Sequence, residues 1–164
     1  MRVTRAFREH HLAVATVWCA AAMSAGDHGL ARLFAYYPGD EWVDWWSLDL
    51  FSAGEMSAKL PGSFCEEANR HRKPVMIGES TARYVGVHEG QKSWDKWYAP
   101  YFAFIRARPE IKAFCYIDWN WAVWSKKLGF SWNDWLDCRI EQDETVRKLY
   151  RKEMDSPLYR HDGD

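Results

Sequence analysis

Four stretches of the chain are nearly continuous in apolar residues: Leu12–Trp18, Trp42–Phe51, Pro74–Glu79 and Ile111–Trp121. Each is short and rich in β-branched or aromatic side chains, a pattern that predicts strands buried on both faces in a parallel sheet covered by helices. Between them, apolar positions recur at helical spacing. Ser63-Phe64-Cys65-Glu66 has the form of a capping box and predicts a helix running to about Arg72. Ser93 can cap a second helix, in which Trp94, Trp97, Tyr98, Tyr101, Phe102 and Ile105 share an aromatic face and Pro100 is expected to kink or split the element. Asp143–Met154 places Val146, Leu149, Tyr150 and Met154 on one side of a third. The polar tail from Asp155 to Asp164 contains Pro157 and is expected to fray.

The expected strands start near residues 12, 43, 74 and 111, and each interval holds one helix's worth of chain. Repeated βα units with right-handed crossovers build either an open doubly wound sheet or a (β/α)8 barrel. Neither G-x-G-x-x-G nor G-x-x-x-x-G-K occurs, which removes the nucleotide-binding versions.

Composition narrows the function further. The 164 residues amount to one domain, with 22 Lys and Arg against 23 Asp and Glu and a net charge of −1. No basic excess exists to hold a nucleic acid or an anionic membrane surface. Mean hydropathy is −0.51, and no apolar run approaches the roughly 20 residues that cross a bilayer. The four cysteines and six histidines show no metal-ligand or redox spacing, so no metal and no cofactor is signalled, and buried free thiols are the default. The 11 Trp residues are the outlier. Most are expected in the core, with a minority of two to four left for stacking on sugar rings in a cleft. The start reads two ways: basic Arg2, Arg5 and Arg8, an apolar stretch from Leu12 to Met23 and small Ser24-Ala25-Gly26 have the form of an export signal, while Val14, Thr16, Val17 and Trp18 suit a strand.

One carboxylate stands out. Lys73-Pro74-Val75-Met76-Ile77-Gly78-Glu79-Ser80 puts Glu79 at the carboxyl end of an apolar strand, where barrel enzymes hold catalytic groups. A loop or helix-capping Glu fits that position equally well.

Tyr36–Phe51 with its Pro38-Gly39-Asp40-Glu41-Trp42 core, Pro74–Thr81, and Ala113–Trp121, in this order and spacing, resemble the last strands of a retaining barrel glycosidase, most closely glycoside hydrolase family 26, the β-mannanase family. The resemblance runs from about Leu12 to Tyr159. It implies an α/β fold forming the carboxyl-terminal half, about strands 5 to 8, of a (β/α)8 TIM barrel, with residues 1–164 a single partial domain. It also favours the strand over the export signal at the start, although a secreted or cell-envelope location is expected for full-length members. Glu79 then matches the nucleophile ending strand seven. Trp119 or Trp121 matches the aromatic platform ending strand eight, and Trp18 would end strand five at the same rim.

Two departures from the family follow. The aromatic hydroxyl that usually bonds the nucleophile is replaced by Leu50-Phe51, leaving Asp49 or Tyr84 to contribute instead. Retaining hydrolysis also needs two carboxyl groups roughly 5 to 5.5 Å apart, and the family's acid/base Glu and its preceding His lie on strand four, ahead of the matched region. Among Asp44, Asp49, Asp118 and Asp137, Asp49 and Asp118 are the ones expected near the rim, as binding or scaffold groups. The resemblance implies the carboxyl-terminal part of a longer endo-β-glycanase, inactive alone, acting on β-linked polysaccharide with mannan as the leading substrate. Open barrel edges would require the missing half or self-association. The alternative is a non-catalytic carbohydrate-binding fragment using Trp18, Trp119 and Trp121, and a third reading is an unrelated α/β interaction domain whose Trp residues are all core.

Overall fold

Four strands lie side by side in chain order, all parallel: β1 (Val17–Ala21), β2 (Trp45–Leu50), β3 (Val75–Ser80) and β4 (Ile111–Phe114). The computed structural model describes residues 2–21, 29–130 and 134–161. Ser24-Ala25-Gly26 of the leader-like start, Trp132 and Asn133, and the last three residues of the tail lie outside the described residues. The expected α/β class and parallel sheet are present.

Two strand boundaries differ from the sequence expectation. Residues 2–9 form helix α1 (Arg2–Glu9), and β1 begins only at Val17 instead of Leu12. Pairing starts there because Thr16 ties the two segments together: its N–H and hydroxyl both donate to Asp44 Oδ2, at 2.7 and 2.8 Å, and its carbonyl accepts from the N–H groups of Asp44 and Trp45. Of residues 12–15 only Val14 is a strong strand former, and among the described residues none of the four pairs with another strand, so no strand forms there. At the other edge, β4 stops at Phe114 instead of reaching Trp121. The N–H of Cys115 makes one more ladder bond to the Ile77 carbonyl (2.8 Å). The Ser80 hydroxyl then takes the Cys115 carbonyl at 2.7 Å and the Thr81 hydroxyl takes that of Ile117 at 3.1 Å, replacing backbone partners.

The chain forms two compact units, Met1–Ser80 with Ala103–Tyr116, and Thr81–Phe102 with Ile117–Asp164. The first holds the whole sheet together with α2 (Gly29–Phe34), α3 (Ala53–Ser57) and α4 (Lys59–Arg70). The capping box forms at Ser52, where the hydroxyl accepts the Glu55 N–H and the Glu55 carboxylate accepts the Ser52 N–H at 2.9 Å. The expected box at Ser63 lies a turn inside α4, which starts at Lys59 and carries Pro61 in its first turn, where a missing N–H costs nothing.

Trp46, Leu48 and Leu50 of β2 and Val75 and Ile77 of β3 are fully buried on the helix side, facing Phe64 and Ala68 of α4. Trp18, Phe34, Tyr37, Phe64 and His71 all lie within 4.9 to 5.3 Å of the Trp46 ring centre, Tyr37 at 5.0 Å. Trp46 Nε1 donates to the Tyr37 hydroxyl (3.2 Å), which donates to Asp40 Oδ1, and Asp40 also bonds His71 Nδ1 at 2.9 Å. Burial first, then the Asp40 carboxylate, push the Tyr37 hydroxyl up to about 12.

In the second unit, Gln91–Ser93 (α5) leads into a π-helical turn, Trp94–Tyr98, where the Ala99 N–H reaches the Trp94 carbonyl. The turn precedes Pro100 and α6 (Ala99–Arg106), and Ser93 makes no side-chain cap; its hydroxyl accepts the Glu89 N–H instead. α7 (Trp121–Leu128) is capped by Asn120, and α8 (Glu144–Met154) by Asp143, whose Oδ1 accepts the Val146 N–H at 3.0 Å. Beyond α8, the Tyr159 hydroxyl donates to Glu153.

Trp46→Ala is expected to cost about 3–5 kcal/mol, by removing the ring on which five others converge. Tyr36→Ala, 77% exposed, is expected to change stability by less than about 0.5 kcal/mol. Urea unfolding of the two variants checks both.

Candidate active site at the carboxyl end of the sheet

In a parallel sheet the side chains alternate, so the residues between the buried ones form a second face. On β2 these are Trp45, Ser47 and Asp49, and on β1 Val17, Cys19 and Ala21. The β2–β3 register runs Trp46 with Val75, Ser47 with Met76 and Leu48 with Ile77, then slips by one residue, so that Asp49 pairs with Glu79 and Leu50 with Ser80. Without that slip Glu79 would follow Ile77 onto the helix side. The bulge places Gly78 and Glu79 successively on the face of Ser47 and Asp49, the re-aiming that bulges commonly perform beside active sites.

Gly78 is required by this arrangement. A Cβ there would overlap Ser47 Oγ and come within 3.3 Å of Asp49 Oδ1 and 3.6 Å of Cys19 Sγ. Asp49 stands opposite Glu79 in the strand pairing, near enough to the Glu79 backbone N–H for that group to favour its carboxylate. The Cys19 thiol donates to Asp49 Oδ1 at 3.2 Å. Ser47 Oγ is 1% exposed and makes no hydrogen bond, although it lies beside the Cys19 sulfur closely enough to favour its thiolate. Burial raises the Asp49 carboxyl above its ordinary value, with the Cys19 thiol and the Glu79 N–H pulling it back. Burial likewise pushes the Cys19 thiol up to about 11, opposed by the Ser47 hydroxyl and reinforced by the Asp49 and Glu79 charges.

The residues singled out in the sequence therefore separate. Glu79 and Asp49 come together at the carboxyl end of the sheet, with Glu79 exposed. Trp18 is the second residue of β1 and its ring is turned to the helix side, 4.9 Å from Trp46 and 5.5 Å from Phe64, instead of ending its strand at a rim. Tyr84, Trp119 and Trp121 belong to the second unit. Tyr84 is 59% exposed with the Arg83 guanidinium 4.8 Å from its ring, and Trp119 is 44% exposed and stacked on Trp124 at 5.9 Å. Trp121 begins α7 and packs on Trp135 at 5.0 Å, so neither Trp terminates a strand.

Of the other carboxylates, Asp44 sits before the amino end of β2, held by Thr16, which keeps it below its ordinary value. Asp118 accepts the Ile140 N–H and Asp137 is bound by Arg139, so both are structural ties. Sequence reading missed Cys19 and Ser47. All four cysteines are free, but Cys19 and Cys115 are exposed, against the expectation of buried thiols. Among the described residues no cluster of three or more His, Cys, Asp or Glu could hold a metal ion, and no helix is long and apolar enough to cross a membrane.

No family model matches the chain. A β-1,3-xylanase of Alcaligenes sp. is 26% identical over 153 residues, covering 81% of this chain and 33% of that protein. A β-1,3-xylanase of Vibrio sp. is 22% identical over 170 residues, covering 92% and 36%. The chain thus spans about a third of the length of the curated relatives it matches. Among solved structures, a modular endo-β-1,4-mannanase of glycoside hydrolase family 26 from Cellulomonas fimi superposes with a TM-score of 0.52 at 15% identity, over 87% of this chain and 30% of that one, and its double mutant does so equally. The fold is therefore similar to part of a family 26 barrel, as the sequence resemblance implied, and the sequence relatives are glycoside hydrolases.

At neutral pH the Cys19 thiol is expected to alkylate slowly, its rate rising about tenfold per pH unit as the thiolate forms below a pKa of about 11. Asp49→Asn removes a negative charge beside the sulfur and is expected to speed alkylation several-fold at pH 8. Peptide mass spectrometry against iodoacetamide time reads both.

Proposed function

We propose that this chain carries the nucleophile side of a retaining β-glycanase site, with Glu79 as the nucleophile and the four strands corresponding to strands 5 to 8 of a (β/α)8 barrel. The observation that carries the reading is the one-residue slip that turns Glu79 away from the core and toward Asp49 at the carboxyl end of a parallel sheet, where barrel enzymes gather their catalytic groups. The β-1,3-xylanase relatives and the mannanase-like fold support a β-linked polysaccharide of xylan or mannan type as substrate.

On this reading the Glu79 carboxylate attacks the anomeric carbon as the bond to the leaving oxygen breaks, giving a glycosyl ester that water then hydrolyses. Asp49 acts as a positioning residue. Paired with Glu79 across the two strands, its carboxylate supplies the polar neighbour that the absent aromatic hydroxyl would otherwise provide. The acid/base carboxyl that protonates the leaving oxygen comes from a strand beyond these four. A non-catalytic glycan-binding role is the second reading, favoured by the exposed Trp119 stacked on Trp124.

An activated 2-deoxy-2-fluoro β-glycoside with a dinitrophenolate leaving group needs no acid, so it isolates the nucleophile's step. Incubation with the xylosyl and mannosyl reagents is expected to add one fluoroglycosyl group to the peptide containing Glu79, with release of one dinitrophenolate. Glu79→Gln is expected to abolish labelling. Absence of an adduct on folded protein, or an adduct on another residue, would sink the catalytic reading.

A further inference from the structure

The second unit contains a cleft of about 750 Å³ whose lining includes Tyr84, Val85, His88, Lys96, Lys126 and Asp137. That is the size of a small-ligand site. Its walls are pinned by backbone bonds. Segment 134–138 is held on one side by the Tyr84 and Val87 N–H groups, donating to the carbonyls of Asp134 and Asp137 at 2.8 and 3.0 Å. On the other side, the Trp121 N–H reaches Leu136 and the Cys138 N–H reaches Trp119. The approach is close enough to demand special backbone. Gly86 has φ +63, and a Cβ there would stand 2.9 Å from the Asp137 carbonyl. Tyr84 also adopts a left-handed φ of 68, a conformation costly for a side-chain-bearing residue and concentrated at ligand sites.

Val85 and Leu136 supply apolar surface, and the exposed Tyr84 ring, backed by Arg83, is a platform of the kind that takes the C–H face of a sugar. The charges are less ordinary for a neutral-glycan site. Both lining carboxylates are already engaged: Asp137 by Arg139 at 2.9 and 2.7 Å and by Asn120 at 2.8 Å, Glu89 by Lys92 at 2.6 Å and Lys96 at 3.3 Å. Lys126 lines the cleft with no partner among the described residues. His88 directs Nε2 toward Asp137 at 3.5 Å, leaving Nδ1 available. A chain with net charge −1 thus presents here an uncompensated ammonium and two further nitrogen groups, with no free carboxylate.

We infer that this cleft is a subsite for a β-linked sugar unit bearing an acidic substituent, a carboxylate or a sulfate ester. The sugar part of the inference rests on the glycan function proposed above; the charge preference is independent of it. Tyr84 stacks the ring, and Lys126, with Lys96 and His88, receives the anionic group.

The test is calorimetric titration of the full chain with size-matched β-linked tetrasaccharides: neutral xylo- and manno-oligosaccharides, a uronate and a sulfated form, with inorganic sulfate alone as a further probe. Acidic saccharides are expected to bind about tenfold more tightly than neutral ones at low salt, an advantage that shrinks as salt rises. Lys126→Gln, on an exposed helix position, is expected to remove most of that preference and leave neutral binding unchanged, while Tyr84→Ala weakens both. The uronate and sulfate arms identify which anion is taken. Neutral binding with no acidic preference, or a preference that survives Lys126→Gln, overturns the subsite and leaves the glycan reading standing. Binding of no saccharide overturns both, and sulfate bound alone reduces the cleft to a simple anion site.

Discussion

The catalytic reading of this chain depends on how closely β3 approaches β2 at Gly78. One residue without a side chain lets the strands slip register between Leu48 and Asp49, and the slip decides which way Glu79 points. Before it, β3 contributes Val75 and Ile77 to the core; after it, the same strand delivers a carboxylate to the opposite face, paired with Asp49. A larger residue at position 78 would press on Ser47, Asp49 and Cys19 together. Fold and site are therefore coupled through a single contact.

The two faces of the sheet are stabilised differently. The helix side is an aromatic cluster centred on Trp46, where tilted and edge-on ring contacts add to burial of large apolar area. The opposite face places a buried hydroxyl without a partner, a thiol and a carboxyl in one small space. Such a group is costly where nothing answers it. Concentrating that cost beside Glu79, with the cluster around Trp46 supplying stability behind it, is the arrangement expected of a face shaped for a ligand more than for packing.

Much of this was legible in the sequence, because uninterrupted apolar runs separated by helical intervals encode a parallel sheet directly. The position of Glu79 was legible too, at the end of such a run. The slip was not, since a bulge leaves no mark beyond a glycine, and the role of Cys19 depends on a neighbour thirty positions away. Trp18 was misplaced because apolar runs do not reveal strand ends: pairing begins at Thr16, set by its bonds to Asp44, which puts a half-buried Trp18 opposite Trp46 in the aromatic cluster. Ser52-Ala53-Gly54-Glu55 and Ser63-Phe64-Cys65-Glu66 are equally good capping boxes on paper, and the first is used because it stands where a strand ends and free amides need partners.

The most direct test of the central claim, that the slip brings residues 49 and 79 together on one face, is chemical bridging of cysteines placed there. In an Asp49→Cys, Glu79→Cys chain with the exposed Cys19 and Cys115 replaced by Ser, the paired strands stand about 5 Å apart, within reach of dibromobimane, which fluoresces strongly once it has alkylated two thiols. The account predicts rapid intramolecular bridging, with one reagent joining the two peptides in the mass spectrum. Two independently alkylated thiols and no bridge would mean that Glu79 faces the helices, and the proposed nucleophile would lose its place.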